Sequence, residues 1–278
     1  MKKSCIAIFI LLCIFIISLK NYATPEQGLI QQNENILKQL LIDAHIPQYQ
    51  YQIIHTYPHD RNSFTEGLFF QNGYMYESSG LYGQSKIRMY TLNNTKPQKE
   101  YRLEHQYFGE GMTLLGDALY QLTYREHIGF IYDKNTLQLQ NTFSYSTEGW
   151  GLTSNDGQLI MSNGSAILTF IDPHSMKPIR YLSVNAAGRT IHSLNELEYI
   201  NGMIYANIWP TSIIVIISPE NGNVRGWIDI HALKPKVSCL ECVANGIAYN
   251  KDDNTLFVTG KNWPLLSAIK IYLPQRLS

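Results

Sequence analysis

A motif that recurs at intervals of about 45 residues is the feature that most constrains how this chain can fold. Each copy has an entry segment that contains Gly or Glu, continues with a few apolar residues and a turn signal, and ends in an alternating strand of apolar residues and Tyr. The five copies occupy residues 64–79, 108–124, 149–163, 194–209 and 245–263. Their aligned entry positions are Glu66, Glu110, Gly151, Glu196 and Ile247, at steps of 44, 41, 45 and 51 residues. A repeat of this length is typical of β-propeller blades, whereas a sandwich or jelly roll does not predict it.

Each copy is followed by a further pair of predicted strands, which gives four strands per unit. The run 128–132, for example, turns at Asp133 into a second run. The sequence therefore predicts an all-β fold, a five-bladed β-propeller that occupies residues 50–278 as one domain. The strand 51–57 precedes the first copy, and its pairing into the last blade would close the ring. The 19 Tyr residues and the low charged fraction of 16% suit half-buried sheets.

The N-terminal residues have the pattern of a targeting segment. Lys2 and Lys3 precede an uncharged apolar run at 4–19, and Ala23 can end a cleavage site. We therefore predict that residues 1–23 are a signal peptide. The mature protein would then be periplasmic or secreted, without membrane contact. The alternative is an uncleaved N-terminal membrane anchor. Residues 24–49 have apolar side chains at helical spacing and are predicted to form a short helical segment that acts as a lid or brace.

Charge and cysteine content exclude several classes of function. The chain has 22 Lys and Arg against 22 Asp and Glu, so no long-range field attracts a polyanion, and we expect no nucleic-acid partner. Cys5 and Cys13 lie in the predicted signal peptide, which leaves Cys239 and Cys242 in a C-x-x-C pair. One pair cannot supply the four ligands of a structural zinc site. In an oxidising compartment the pair is a disulfide candidate, with free thiols or a redox role as alternatives.

The repeat also predicts where a functional site lies. In a propeller the first strand of each blade lines the central channel, and equivalent residues of successive blades converge at one mouth. The residues that the repeat brings there are Phe64, Glu66, Phe108, Glu110, Trp150, Asn195 and Glu196, and the ends of the same strands add Tyr124, Trp209 and Lys261. They predict an aromatic cup that holds a few polar groups.

At these residues the sequence resembles a known family, the plant and bacterial type of glutaminyl-peptide cyclotransferase. The matching strings are FTEGL at 64, ESSGLYGQS at 77, YFGEGMTLL at 107, IGFIYD at 128, GWGL at 149, LNELEYINGMIYANIW at 194, and NGIAY and VTGKNWP after 244. The resemblance covers nearly the whole mature chain. It implies an enzyme that converts the N-terminal Gln of peptides or proteins to pyroglutamate and ammonia. Two residues depart from the family pattern: Glu66 stands where the family has Gln, and Tyr124 where it has Trp.

The resemblance also implies roles for individual residues. Glu110 takes the place of the catalytic carboxylate, and Asn195 and Lys261 take the polar positions. The aromatic substrate pocket maps onto Phe64, Phe108, Trp150 and Trp209. The chemistry agrees, since the amine and the γ-carbonyl of the substrate are already tethered and ring closure needs orientation and one carboxyl that moves a proton. Asn195 or Lys261 would donate hydrogen bonds to the carbonyl oxygen, and the sequence leaves open which of them does so.

Two other classes of function compete with this interpretation. A calcium-dependent propeller hydrolase of the lactonase or esterase type could use Glu66, Glu110 and Asn195 as ligands. A non-catalytic peptide-binding propeller would explain the aromatic cup alone. The surrounding aromatics favour an apolar pocket, and no Asp falls at an aligned entry position. We therefore expect no metal and no cofactor, and a monomer that acts on peptides or proteins with an N-terminal Gln.

Overall fold

The structure is a computed structural model that describes residues 25–155, 157–236, 239 and 241–274. The predicted signal peptide, residues 1–23, lies outside the described residues. Among these residues, one α-helix, α1 (Pro25–Asp43), precedes the strands. It lies in the predicted helical segment. No helix in the described part of the chain is long and apolar enough to cross a membrane.

Three sheets contain four antiparallel strands each, in chain order. The first consists of β2 (Thr65–Gln71), β3 (Tyr74–Ser79), β4 (Lys86–Thr91) and β5 (Asn94–Arg102). The second consists of β6 (Gly109–Leu115), β7 (Ala118–Thr123), β8 (Ile128–Asp133) and β9 (Leu139–Ser144). The third consists of β10 (Leu152–Ser154), β11 (Leu159–Met161), β12 (Ile167–Asp172) and β13 (Lys177–Ser183). A small hairpin, β14 (Asn185–Ala186) and β15 (Arg189–Thr190), follows.

An eight-stranded sheet completes the fold. One half consists of β16 (Leu194–Ile200), β17 (Met203–Ile208), β18 (Ile213–Ile217) and β19 (Val224–Asp229). The other half consists of β20 (Ala244–Asn250), β21 (Thr255–Gly260), β22 (Leu265–Tyr272) and β1 (Gln48–Pro58), and a 3-10 turn at His231–Leu233 lies between the two halves in sequence. The sheet order is β16-β17-β18-β19-β1-β22-β21-β20.

The first strand of the chain joins these two halves. β1 pairs antiparallel with β22 from Gln50 to Pro58, but it pairs parallel with β19 only at Gln48 and Tyr49. The chain therefore closes onto its last sheet as the sequence predicted. β1 begins at Gln48, two residues before the predicted start of the propeller domain at position 50. If the sheet is divided at this short parallel junction, the described residues form five four-stranded units and the small β14–β15 hairpin.

The first strands of these units contact one another in a closed ring, β2 with β6, β6 with β10, β10 with β16, β16 with β20 and β20 with β2. The all-β class is confirmed, and the ring supports five blades. Glycines permit the close approach. A Cβ at Gly111 would lie 2.4 Å from the amide N of Leu152, and one at Gly151 would lie 1.9 Å from the carbonyl O of Asn195. Because the neighbouring atoms are backbone, Ala at either position would force adjacent strands apart.

Candidate active site

A cavity of about 910 Å³ opens at one mouth of this ring. Nine of the ten residues that the sequence brought to this mouth line it, namely Phe64, Glu66, Phe108, Glu110, Tyr124, Trp150, Asn195, Trp209 and Lys261. Glu196 does not line it. Its carboxylate instead accepts hydrogen bonds from the amide N atoms of Leu68 at 3.2 Å and Ile247 at 2.8 Å. Glu196 thus ties three first strands together inside the channel.

Irregularities at the start of four first strands direct the polar side chains. In each of these strands the register shifts directly after the first residue pair. Those first pairs are Thr65 with Ser79, Gly109 with Thr123, Leu194 with Ile208 and Ala244 with Gly260. The residues that come next are Glu66, Glu110, Asn195 and Asn245. A β-bulge adds a residue to one strand and re-aims its side chain, which explains why these side chains converge.

The repeat alignment from sequence was wrong in register in the last three units. It equated Gly151, Glu196 and Ile247 with Glu66 and Glu110, but the strand pairing makes Trp150, Asn195 and Asn245 their equivalents. Asn195 was nevertheless among the predicted site residues, whereas Asn245 was missed. A signal for Asn245 was present, because Asn245-Gly246 repeats the pattern of Glu66-Gly67 and Glu110-Gly111, a polar residue followed by Gly.

Glu66 is buried, and both of its carboxylate oxygens have hydrogen-bond partners. Its Oε1 lies 2.6 Å from Nζ of Lys261, and its Oε2 accepts a hydrogen bond of 3.0 Å from Nδ2 of Asn245. The same Lys261 ammonium lies 4.5 Å from the centroid of the Phe64 ring, a cation–π contact. A buried carboxylate requires such partners, since an uncompensated charge would be expelled from the interior. Lys261 and Asn245 therefore hold Glu66 in the ionised form.

Glu110 lies beside Glu66, and the two carboxyl groups share a hydrogen bond. Burial and the negative charge of Glu66 raise the pKa of Glu110 well above its usual range. Burial also raises the pKa of Glu66, but the Lys261 ammonium opposes that shift. Two carboxyls in contact cannot both ionise easily, so they titrate in coupled steps. These shifts favour the protonated form of Glu110, the member of the pair without a cationic partner at hydrogen-bond distance.

Two groups of aromatic rings form the walls around this pair. Phe108 packs edge-on against Phe64, with ring centroids 6.1 Å apart, and lies 5.7 Å from the Tyr124 ring. In the second group Trp150 and Trp209 meet edge to face at 5.9 Å. Trp209 is 43% exposed, so one face of its ring is open to the cavity mouth and to solvent. These walls exclude water from the carboxyl pair and leave one open side.

Asn195 supplies a side-chain oxygen that has no hydrogen-bond partner among the described residues. It is 3% exposed, it lines the cavity, and its Oδ1 accepts no hydrogen bond. Its backbone carbonyl is held by the hydroxyl of Ser162 at 2.7 Å, which fixes the residue in place. Buried polar atoms in native proteins are nearly always satisfied, so an orphaned side-chain atom in a cavity indicates a ligand that completes it.

The rim of the cavity includes the C-x-x-C segment. Cys239 and Cys242 form a disulfide, and the neighbouring Glu241 and Val243 line the cavity. Nε1 of Trp263 donates a hydrogen bond of 3.1 Å to the carbonyl of Cys242, which fastens this segment to the last unit. Within the described residues, no group of three or more His, Cys, Asp or Glu side chains has an arrangement that could hold a metal ion.

A ring of antiparallel sheets with a buried carboxyl pair in an aromatic cavity defines a propeller-type protein with a site for acid–base chemistry. Comparison with known proteins specifies the family. The family model described as Glutamine cyclotransferase matches residues 26–271. The chain therefore belongs to the glutamine cyclotransferase family, and the resemblance found in its sequence is confirmed.

Two relatives illustrate the similarity. The glutaminyl-peptide cyclotransferase of Arabidopsis thaliana is 39% identical over 227 residues, which are 79% of this chain and 71% of that protein. The crystal structure of Myxococcus xanthus glutaminyl cyclase superposes with a TM-score of 0.78 at 37% identity and covers 83% of this chain and 100% of that one. This likeness extends over most of the chain.

Proposed function

We propose that this protein is a glutaminyl-peptide cyclotransferase that converts the N-terminal Gln of peptides or proteins to pyroglutamate and ammonia by metal-independent acid–base catalysis. The observation that carries the proposal is the Glu66–Glu110 pair, which keeps one carboxyl protonated inside an aromatic cavity. Cyclisation needs a group of this kind, because the reaction moves one proton from the attacking nitrogen to the leaving nitrogen.

The reaction proceeds with Glu110 as the proton carrier. The neutral α-amine of the substrate attacks its own γ-carbonyl carbon, and the carbonyl π electrons move to oxygen. The oxygen electrons then re-form the carbonyl as the C–N bond breaks, and Glu110 donates its proton to the departing amide nitrogen, which leaves as ammonia. The resulting carboxylate takes the proton from the ring nitrogen, which restores the starting state. Since both reacting groups belong to one residue, the cavity contributes mainly by holding the folded conformer with these groups in contact.

The free side-chain atom of Asn195 supports its role as the group that holds the γ-carboxamide. Asn carries both a donor and an acceptor, so it can pair with the carbonyl oxygen or with the amide hydrogens of the substrate. Lys261 is already committed to Glu66 at 2.6 Å. Between the two candidates that the sequence left open, the contacts therefore favour Asn195 as the residue that binds the carboxamide, with Lys261 positioning Glu66.

The contacts of Glu66 argue against the calcium-dependent hydrolase. A divalent cation on Glu66 and Glu110 would lie next to the ammonium of Lys261, which is 2.6 Å from Glu66. Like charges at such a distance in a buried site repel strongly. The non-catalytic peptide-binding alternative offers no reason for a protonated carboxyl at this position. We also propose that the mature protein is exported, to the periplasm or the medium, and is a monomer.

An assay of ammonia release from a Gln-initiated peptide tests the proposed function. The purified enzyme should release one ammonia per peptide and give a product that lacks a free amine, and a chelator should not change the rate. Hydrolysis of an ester or lactone substrate, with activity that the chelator abolishes, would support the calcium-dependent hydrolase instead. Peptide binding without ammonia release would support the non-catalytic peptide-binding propeller.

Glu66→Gln should remain active but shift the alkaline limb of kcat against pH to lower pH. The substitution removes the charge that raises the pKa of Glu110 and leaves the Lys261 ammonium nearby, and both effects favour ionised Glu110. The proton donor is then lost at lower pH. The acidic limb of kcat/KM, which reports deprotonation of the free substrate amine, should not move. Full pH profiles of both enzymes provide the measurement, and superimposable alkaline limbs would contradict the coupling.

Trp209→Ala should lower kcat/KM by about tenfold, since a lost aromatic contact is worth up to ~1.5 kcal/mol. Trp209 is 43% exposed, so the free energy of unfolding should change little. Steady-state kinetics with a Gln-initiated peptide measure the effect. Trp150→Ala should act in the same direction, because its ring supports that of Trp209. Tyr181→Ala is the control, an aromatic residue that is 67% exposed and outside the cavity. Equal kinetics for Trp209→Ala and Tyr181→Ala would remove Trp209 from the site.

A further inference from the structure

Helix α1 forms one wall of the catalytic cavity. Its residues on the cavity side are Leu29, Ile30, Asn33, Ile36, Leu37 and Leu40, at helical spacing along one face. None of them is charged. The helix therefore presents an apolar stripe to the same cavity that contains the Glu66–Glu110 pair.

The helix is fixed by its C-terminal half. Leu41 is fully buried in the core cluster, and Leu37 and Leu40 pack against that cluster. The buried Glu34 accepts a hydrogen bond of 2.9 Å from the amide N of Ser212 and one of 2.8 Å from Lys38. These contacts hold α1 over the cavity.

The outer part of the stripe has no partner of its own in the described structure that would bury it. Leu29 is 58% exposed and Ile36 is 59% exposed, although both line the cavity. Apolar side chains that remain open beside a concave polar site are typical of ligand-binding surfaces. The cavity of about 910 Å³ also has room for more than one residue of a peptide, because a drug-sized ligand fills roughly 300–1,000 Å³.

The geometry points to a subsite on α1, formed around Leu29 and Ile36, that binds an apolar side chain at the second residue of the substrate peptide. This inference rests on the proposed function. With the Gln side chain held at Asn195 and Glu110, the peptide must leave the cavity past its rim, and the second residue is the first to reach that rim. Burial of an apolar side chain against the stripe removes apolar surface of both partners from water. A charged second residue would be desolvated there without a partner on the helix.

The chain offers a matched control on the same helix. Ile42 is 52% exposed, as Ile36 is 59%, but Ile42 does not line the cavity. Ile36→Ser and Ile42→Ser thus remove similar side chains from the same element, and only the first should change the choice of substrate. Ile36→Leu retains the apolar surface and should keep the preference.

Ammonia release from dipeptide amides with Gly, Asp, Leu or Phe after Gln tests the subsite. The wild type should favour Leu and Phe over Gly and Asp by about tenfold in kcat/KM, the lower end of what a small apolar pocket discriminates. Ile36→Ser should remove most of that preference and change turnover of the Gly peptide less than about twofold. Ile42→Ser and Ile36→Leu should match the wild type, and thermal unfolding should show that all variants are folded.

Several outcomes would overturn the subsite while the proposed function stands. These are equal kcat/KM for all four peptides, or the same change of preference in Ile36→Ser and Ile42→Ser. A wild-type dimer that Ile36→Ser converts to a monomer, with peptide preference unchanged, would assign the stripe to a second copy of the chain. Absence of ammonia from every peptide with the folded wild type would overturn the proposed function and the subsite together.

Discussion

Glu110→Gln should lower kcat by about 100- to 10,000-fold, the range that a positioned acid–base group contributes. The amide is nearly isosteric with the carboxylic acid and can still donate a hydrogen bond to Glu66, but it cannot deliver a proton. The substrate contacts of Asn195 and the aromatic walls remain, so KM should stay within about threefold. Steady-state kinetics of ammonia release, with circular dichroism to show that the fold is intact, provide the measurement.

Glu198→Gln is the matched control for this variant. Glu198 is a further channel carboxyl whose pKa burial raises well above the usual range, but it lines a separate cavity without residues of the candidate site. The same chemical change there should leave kcat near the wild-type value. The loss in Glu110→Gln should persist at every pH, since no pH restores a proton carrier. A Glu110→Gln rate within about threefold of wild type would show that Glu110 is not the acid–base group.

Arg88→Met should lower the free energy of unfolding by about 3–5 kcal/mol, the cost of breaking a buried ion pair by removing one partner. Arg88 is 3% exposed, and it donates 2.7 Å bonds to Glu77 and to Asp60. Glu77 has no solvent exposure and also accepts hydrogen bonds from Ser63 and Thr65. Met fills similar space but leaves the carboxylate of Glu77 without its strongest partner. Urea unfolding near neutral pH measures the change.

The difference in the free energy of unfolding between the wild type and Arg88→Met should become smaller as pH falls. Burial opposes ionisation of Glu77, but Arg88 and His59 hold its pKa well below the usual range. A depressed pKa contributes stability that is present above the pKa of the unfolded state and is lost as pH falls through the folded value. Without Arg88 the pKa of Glu77 rises, so the two proteins should differ most near neutral pH and less at about pH 4.

Two further variants make this prediction specific. Arg102→Met removes an exposed arginine, 65% accessible, whose partner is Glu100, and should change stability by less than about 1 kcal/mol. Glu77→Gln combined with Arg88→Met should recover part of the loss, because no unpaired charge remains buried. If Arg88→Met were no less stable than Arg102→Met, the buried pair would not contribute to stability.

The same network connects stability to the candidate site. Nδ1–H of His59 donates a 2.7 Å bond to the carbonyl of Trp263, while its Nε2 lies 3.1 Å from Glu77. The first and last units are thus joined immediately beside Glu66 and Lys261. Burial opposes protonation of His59, but the neighbouring Glu77 raises the pKa of His59 overall. The stability that His59 contributes is therefore fully present below the pKa of the unfolded state and is lost as pH rises through the folded value. Arg88→Met should therefore also reduce activity through misplacement of Glu66.

Much of the fold followed from local patterns. Four of the five four-stranded units are built from consecutive segments, so alternation and turn residues within a few tens of residues predict them. The strings around Glu110, Trp150 and Asn195 identified the family and named the residues that line the cavity. The register of the repeat was harder, because a β-bulge adds a residue without disturbing the alternation on either side. For that reason Glu196 was aligned where Asn195 belongs.

By itself, the sequence determined the repeat, the all-β class and the types of side chain at the cavity. Only the tertiary structure decided how those side chains interact. Lys261 and Glu66 are 195 positions apart in the chain and meet because the ring closes first unit against last. That contact places the charge on Glu66 and leaves the proton on Glu110, a division that two identical Glu-Gly motifs do not predict. The physical reason is that the pKa of a buried carboxyl depends on its neighbours in space, and here those neighbours come from opposite ends of the chain.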